Sequence, residues 1–147
     1  MASSLNGTGI TFSDSSTQSV GTSGNFKFNS GYGSEAISYG CRAWVNFNGT
    51  TSPGTIRSSG NVTSVSKTGT GDFTVNYTTA MPDVNYSVTA SGMRNIAEGT
   101  SAQPLTIRPY HSTVYGDAFT TTSIRLKSTV YSGSVDDPLA CSVAIFR

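Results

Sequence analysis

Few residues of this chain are equipped for chemistry, and most of those are aromatic or carry amides. His111 is the only histidine, so a Ser-His-Asp relay would have to use it. No nucleophile-elbow motif accompanies it, and serines are too abundant for any one to stand out. The acids are scattered, and Asp72, Asp83 and Asp117 sit in turn-like stretches, where a short carboxylate bonds its own backbone. Glycoside hydrolysis needs two carboxylates held across a sugar, and no spacing here marks such a pair. No metal-ligand cluster or phosphate-cradling loop is visible either. The expectation is a protein that is not an enzyme, with no catalytic residues, no cofactor and no metal. Cys41 and Cys141 lack the C-x-x-C spacing of zinc and redox sites. Each falls in an apolar run, which favours two buried free thiols; a disulfide joining the first and last core strands is the other reading.

Binding chemistry is better supplied. Tyr110, Tyr115 and Tyr131 border loops, with Asn95, Gln103 and His111 nearby. Aromatic rings stack on the apolar faces of sugars, and amides fix hydroxyls. Each ring also has a plainer reading as core or subunit interface. That reading is preferred for Trp44, and both stand for the three tyrosines. N-x-S/T triplets occur at Asn6, Asn48, Asn61, Asn76 and Asn85. A chain so rich in Asn, Ser and Thr supplies them by chance, and the N-terminus shows no secretory signal.

The elements that must carry these residues are strands. Hydrophobic content is 35% and charged content 12%, both low, and Ser, Thr, Gly and Asn fill the gap. These residues disfavour helix interiors, and no stretch shows a 3.6-residue period. A net charge of +1 points to neither a nucleic-acid nor an anionic-membrane partner. No apolar run is long enough for a transmembrane helix.

Thr68–Ala90 orders the rest, reading as strand, turn, strand. Phe73, Val75 and Tyr77 share one face; Tyr86, Val88 and Ala90 do so again after the Met81-Pro82-Asp83 break. In Cys41–Asn48, Cys41, Ala43, Val45 and Phe47 point one way, and Asn48-Gly49 signals a turn. Weaker strands follow over 55–57 and 61–67. Residues 91–103 form the longest irregular connection. Pro104–Ser112 resumes a strand, and a loop surrounds Tyr115-Gly116-Asp117. In Ser123–Val130, Ile124, Leu126 and Val130 face in, with Arg125 and Lys127 out. Leu139–Phe146 is apolar on both faces, as a covered central strand would be.

The fold expected is therefore all-β: an antiparallel β-sandwich of about seven or eight strands over residues 41–147. Residues 1–40 read as an extended polar N-terminal arm, with short strands at Ile10–Phe12 and Phe26–Phe28. So few apolar residues cannot build their own core. Ile10, Phe12, Phe26 and Phe28 are the candidates for ordering the arm against a neighbouring chain; a frayed terminus is the alternative.

The segment GITFSDSSTQS (Gly9–Ser19) resembles one recurrent in bacteriophage tail-fibre proteins, where it usually reads GITFSDGTTQ; Ser15 stands here in place of the glycine. CRAWVNFNGT (Cys41–Thr50), IRSSGNVTSV (Ile56–Val65) and TGDFTVNYTTAMPDVNYSV (Thr70–Val88) are similar to a domain of phage structural proteins, those of cyanophages especially. The resemblance spans Gly9–Val88. It implies a virion component, often a homotrimer, fixed to other tail or baseplate proteins by its N-terminal part and displaying its C-terminal domain. Joined to the loop aromatics, it leads to a tail fibre that attaches to a host cell-surface glycan, through loops 91–103 and 113–119 with Tyr110, Tyr115 and Tyr131. A capsid decoration protein is the alternative, and a depolymerase a third.

Overall fold

The computed structural model describes residues 4–6, 9–11, 17–20, 26–28, 36–37, 40–94, 105–114 and 116–147. The chain divides into two units, Met1–Gly40 and Cys41–Arg147. In the first, five short strands among the described residues pair antiparallel in chain order: β1 (Ser4–Asn6), β2 (Gly9–Thr11), β3 (Thr17–Val20), β4 (Phe26–Phe28) and β5 (Ala36–Ile37). The sequence reading expected two strands there. Ile10 lies in β2, Phe26 and Phe28 in β4, and Phe12 lies outside the described residues.

Among the described residues the second unit holds eight strands. They are β6 (Cys41–Asn48), β7 (Thr55–Gly60), β8 (Val62–Gly69), β9 (Asp72–Tyr77), β10 (Ser87–Arg94), β11 (Leu105–Pro109), β12 (Ser123–Val130) and β13 (Pro138–Phe146). Two four-stranded antiparallel sheets result, ordered β10-β13-β6-β7 and β11-β12-β9-β8. The expected all-β sandwich is the fold observed.

Period-two burial explains the layering. Ala43, Val45 and Phe47 from β6 and Cys141, Val143 and Ile145 from β13 point inward. They meet Phe73 and Val75 from β9 and Ile124 and Leu126 from β12. The Phe47 and Phe73 rings, one from each sheet, lie 5.3 Å apart. Each such fully buried side chain contributes about 1.5–3 kcal/mol.

Two connections between the sheets depart from the sequence reading or sharpen it. Asn61 alone separates β7 from β8, which belong to different sheets, and it adopts φ +56°. Asn tolerates this left-handed conformation better than most residues. Its side chain donates to the Arg42 and Thr79 carbonyls and accepts from the Thr79 N–H. Residues 68–90 are not a hairpin, because β9 pairs with β8 and β12 while β10 pairs with β13. The segment around Met81-Pro82-Asp83 instead carries the chain between sheets. Met81 donates its N–H to the Thr121 carbonyl, and the Tyr86 hydroxyl bonds the Thr120 and Ser123 carbonyls.

Further expectations are corrected or refined. Cys41, the first residue of β6, is exposed, and both thiols are free; the ladder shifts register where Cys41 meets Phe146. Arg125 points away from the core yet is buried, because Asp72 on the neighbouring strand pairs with it. β13 is central in its sheet, but its outer face carries exposed Ser142 and Phe146. β10 runs on to Arg94, so the first residues of the expected irregular connection are strand, and residues 95–104 lie outside the described ones.

Candidate functional site

The site is built where β11 ends. Ser112 and Gly116 exchange backbone hydrogen bonds, Ser112 N–H to Gly116 O at 3.1 Å and Gly116 N–H to Ser112 O at 2.8 Å. Gly116 closes this tight reversal at φ +84°, which glycine adopts without steric cost. The residues flanking a closed turn face each other, and here they are His111 and Asp117. His111 Nδ1 lies 3.2 Å from Asp117 Oδ1, with both side chains largely exposed.

Behind this pair Phe119 turns in against Tyr86, at 5.3 Å between ring centroids. The Arg125 N–H bonds the Ala118 carbonyl and holds the returning strand against β12. Val84 approaches from the crossing segment. Together Val84, Pro109, His111, Asp117, Ala118 and Phe119 line an open pocket of about 520 Å³, within the range of small-ligand sites. Its walls are apolar and its polar groups are the His111–Asp117 pair, which suits a ring with one apolar face and hydroxyls at its rim. No described hydroxyl or thiol hydrogen-bonds to the other His111 ring nitrogen.

Tyr110 leaves the pocket for the outer face of the sheet. Its N–H bonds the Arg125 carbonyl, and the Lys127 ammonium stands 5.2 Å from its ring centroid. Tyr131 is 87% exposed, but it follows β12 at the opposite end, about 20 Å from the Arg125 position at the rise of a strand. Asn95, Gln103 and Tyr115 lie outside the described residues. The structure thus joins His111 with a carboxylate in one pocket, sets Tyr110 beside it and separates Tyr131 from both.

Sequence reasoning passed over Phe119, Val84 and the pairing of Asp117 with His111. The turn at Tyr115-Gly116-Asp117 carried a signal for that pairing, since a tight reversal brings its flanks together. Trp44, for which packing was preferred, is 40% exposed on the outer face of the β10-β13-β6-β7 sheet. Its indole lies over Gly60, where an added Cβ would come within 2.5 Å of Nε1.

No protein-family profile matches the chain, and no curated protein sequence matches it. Among solved structures, it is similar to the phiAB6 tailspike, crystallised with three-repeated oligosaccharides of Acinetobacter baumannii surface polysaccharide. Identity is 12% and the TM-score 0.48, over 98% of this chain. The chain spans 27% of the length of that tailspike.

Proposed function

We propose that this chain is a structural protein of a bacteriophage virion, a tail-fibre component whose β-sandwich attaches to a glycan on the host surface. The observation that carries the reading is the pocket, with apolar walls and the exposed His111–Asp117 pair at its rim. A sugar would lay its C–H face on Phe119 and Pro109 and share hydroxyls with Asp117 and His111. The resemblance of Gly9–Val88 to phage structural proteins supports the virion setting. In that setting a homotrimer, anchored through its N-terminal part to tail proteins, would multiply weak contacts by valency. The proposed role is binding without turnover.

Competition tests it. Soluble protein should block phage adsorption to cells, and Asp117→Asn with His111→Ala should raise the concentration needed at least about tenfold, the loss of one or two good polar contacts. The urea midpoint should stay unchanged. Undiminished competition by the double variant removes the pocket from the reading, and release of reducing ends from host polysaccharide would replace binding with hydrolysis.

A second reading has its own observation. Trp44, Met93 and Phe146 are exposed on one sheet face, as a capsid decoration protein seated on coat subunits would require. Gold-labelled antibody on intact particles separates the two: tail labelling upholds the fibre, and head labelling the decoration protein.

A further inference from the structure

On the outer face of the β11-β12-β9-β8 sheet the ladder places like charges opposite each other. Arg108 on β11 pairs in register with Lys127 on β12, and directly opposed side chains of an antiparallel pair share a face. Like charges so placed repel. Among the described residues, the carboxylate that faces these cations is that of Asp72. Asp72 is the register partner of Lys127 on its other side, and its Oδ2 lies 2.6 Å from Arg125 but 3.5 Å from Lys127.

Asp72 and Arg125 are both buried, so their charges are committed to each other. Lys127 receives the weaker share. Arg108 is exposed, and among the described residues it makes no ion pair or side-chain hydrogen bond. Among the described residues, three cations around one carboxylate leave two positive charges on this face, while the whole chain carries +1. The ring of Tyr110, two residues beyond Arg108, lies under the Lys127 ammonium. It adds apolar surface beside the charge.

We infer that this face takes the acidic group of an anionic sugar, a uronate carboxylate seated between Arg108 and Lys127 with its ring against Tyr110. A carboxylate there relieves the repulsion between the two cations, and guanidinium binds it through paired N–H groups. His111 and Pro109 of the pocket adjoin Tyr110 in the chain. A glycan held in the pocket can therefore reach the face with a neighbouring residue. The biological occupant rests on the proposed attachment to a glycan; the anion site stands on the charges alone.

The test is a chemical-shift titration of the full chain with galacturonate, with galactose and with inorganic phosphate. Galacturonate should shift the Arg108, Tyr110 and Lys127 amides saturably, and galactose at equal concentration should not. Arg108→Gln, a change on an exposed edge-strand position, should weaken galacturonate about tenfold, the loss of one charge-assisted contact. Arg108→Lys should retain part of the affinity, and added salt should weaken binding by screening. Shifts elsewhere, or equal shifts with galactose, would overturn the site. Phosphate binding there more tightly than galacturonate would overturn the carboxylate assignment in favour of a phosphorylated sugar. Galacturonate bound at this face by a protein that fails to compete for cells would remove the attachment reading and leave the anion site. Competition without galacturonate binding would do the reverse.

Discussion

On the outer face of the β10-β13-β6-β7 sheet, the central row is short and neutral, and the cation that reaches it, Arg57, is exposed and bonds Asn46 Oδ1 and the Leu139 carbonyl. Asn46 donates to the Ser142 hydroxyl at 2.8 Å, and the register continues that row to Ser58 on β7 and Ser91 on β10. The opposite sheet carries Asp72, Arg125 and Lys127 on its two central strands, with Arg108 beside them on the edge strand β11. Taking Asp72 and Arg125 out of water costs several kcal/mol per ion before their attraction returns any of it. The first sheet closes its outer face without that cost. The charges of the second therefore call for a role beyond holding the fold, and the anion site supplies one.

The largest expected effect sharpens this contrast. Asp72→Ala leaves Arg125 buried beside an uncompensated Lys127 and should destabilise the protein by about 3–5 kcal/mol. Asn46→Ala on the neutral face should cost no more than about 1 kcal/mol, a partly exposed hydrogen bond. Urea unfolding of the two variants measures both, and equal losses would erase the distinction between the faces.

A smaller effect belongs to the core that the sheets share. Burial pushes the Cys141 thiol up to about 12, and burial likewise raises the Tyr86 hydroxyl above the ordinary phenol range. A group whose folded pKa is raised lends its stability below its unfolded value and loses it as pH climbs toward the folded one. Melting temperature should hold through neutral pH and fall once pH passes the ordinary thiol value of 9.0. Cys141→Val should flatten part of that decline. The same difference appears in labelling: one thiol, Cys41, should react with a maleimide in the native protein, and both should react in urea.

The smallest effect lies on the surface. The Arg147 guanidinium beside Asp83 and the Asn85 N–H hold the Asp83 carboxyl below its ordinary value of 3.8. A depressed carboxyl contributes stability above that value and loses it as pH falls further. Because Asp83 is exposed, solvent screens the pair. Wild type should melt only slightly above Asp83→Asn at pH 7 and lose that slight advantage below about pH 4.

What was legible in the sequence follows from local geometry. Alternation named the inward faces of β6, β9 and β12 because successive side chains must leave a strand on opposite sides. Gly71, at φ +65° between β8 and β9, was readable as a turn because few other residues adopt that conformation. His111 was marked as a site residue on type alone, and the Tyr115-Gly116-Asp117 turn was visible beside it. Alternation carries no information about partners, however. It could not show that β9 and β10 enter different sheets, and the stretch read as a hairpin became a crossing.

Residue types and their period thus determined by themselves that the chain is a two-faced β-protein, polar outside. Tertiary structure decided everything that depends on pairing across distance. Asp72 and Arg125 are 53 residues apart, and only the β9–β12 ladder puts them in contact and lets an arginine be buried. Arg108 and Lys127 face each other, and Tyr131 stands far from Tyr110, for the same reason. Register is set by the summed packing of both sheets, a property that no short stretch of the chain contains.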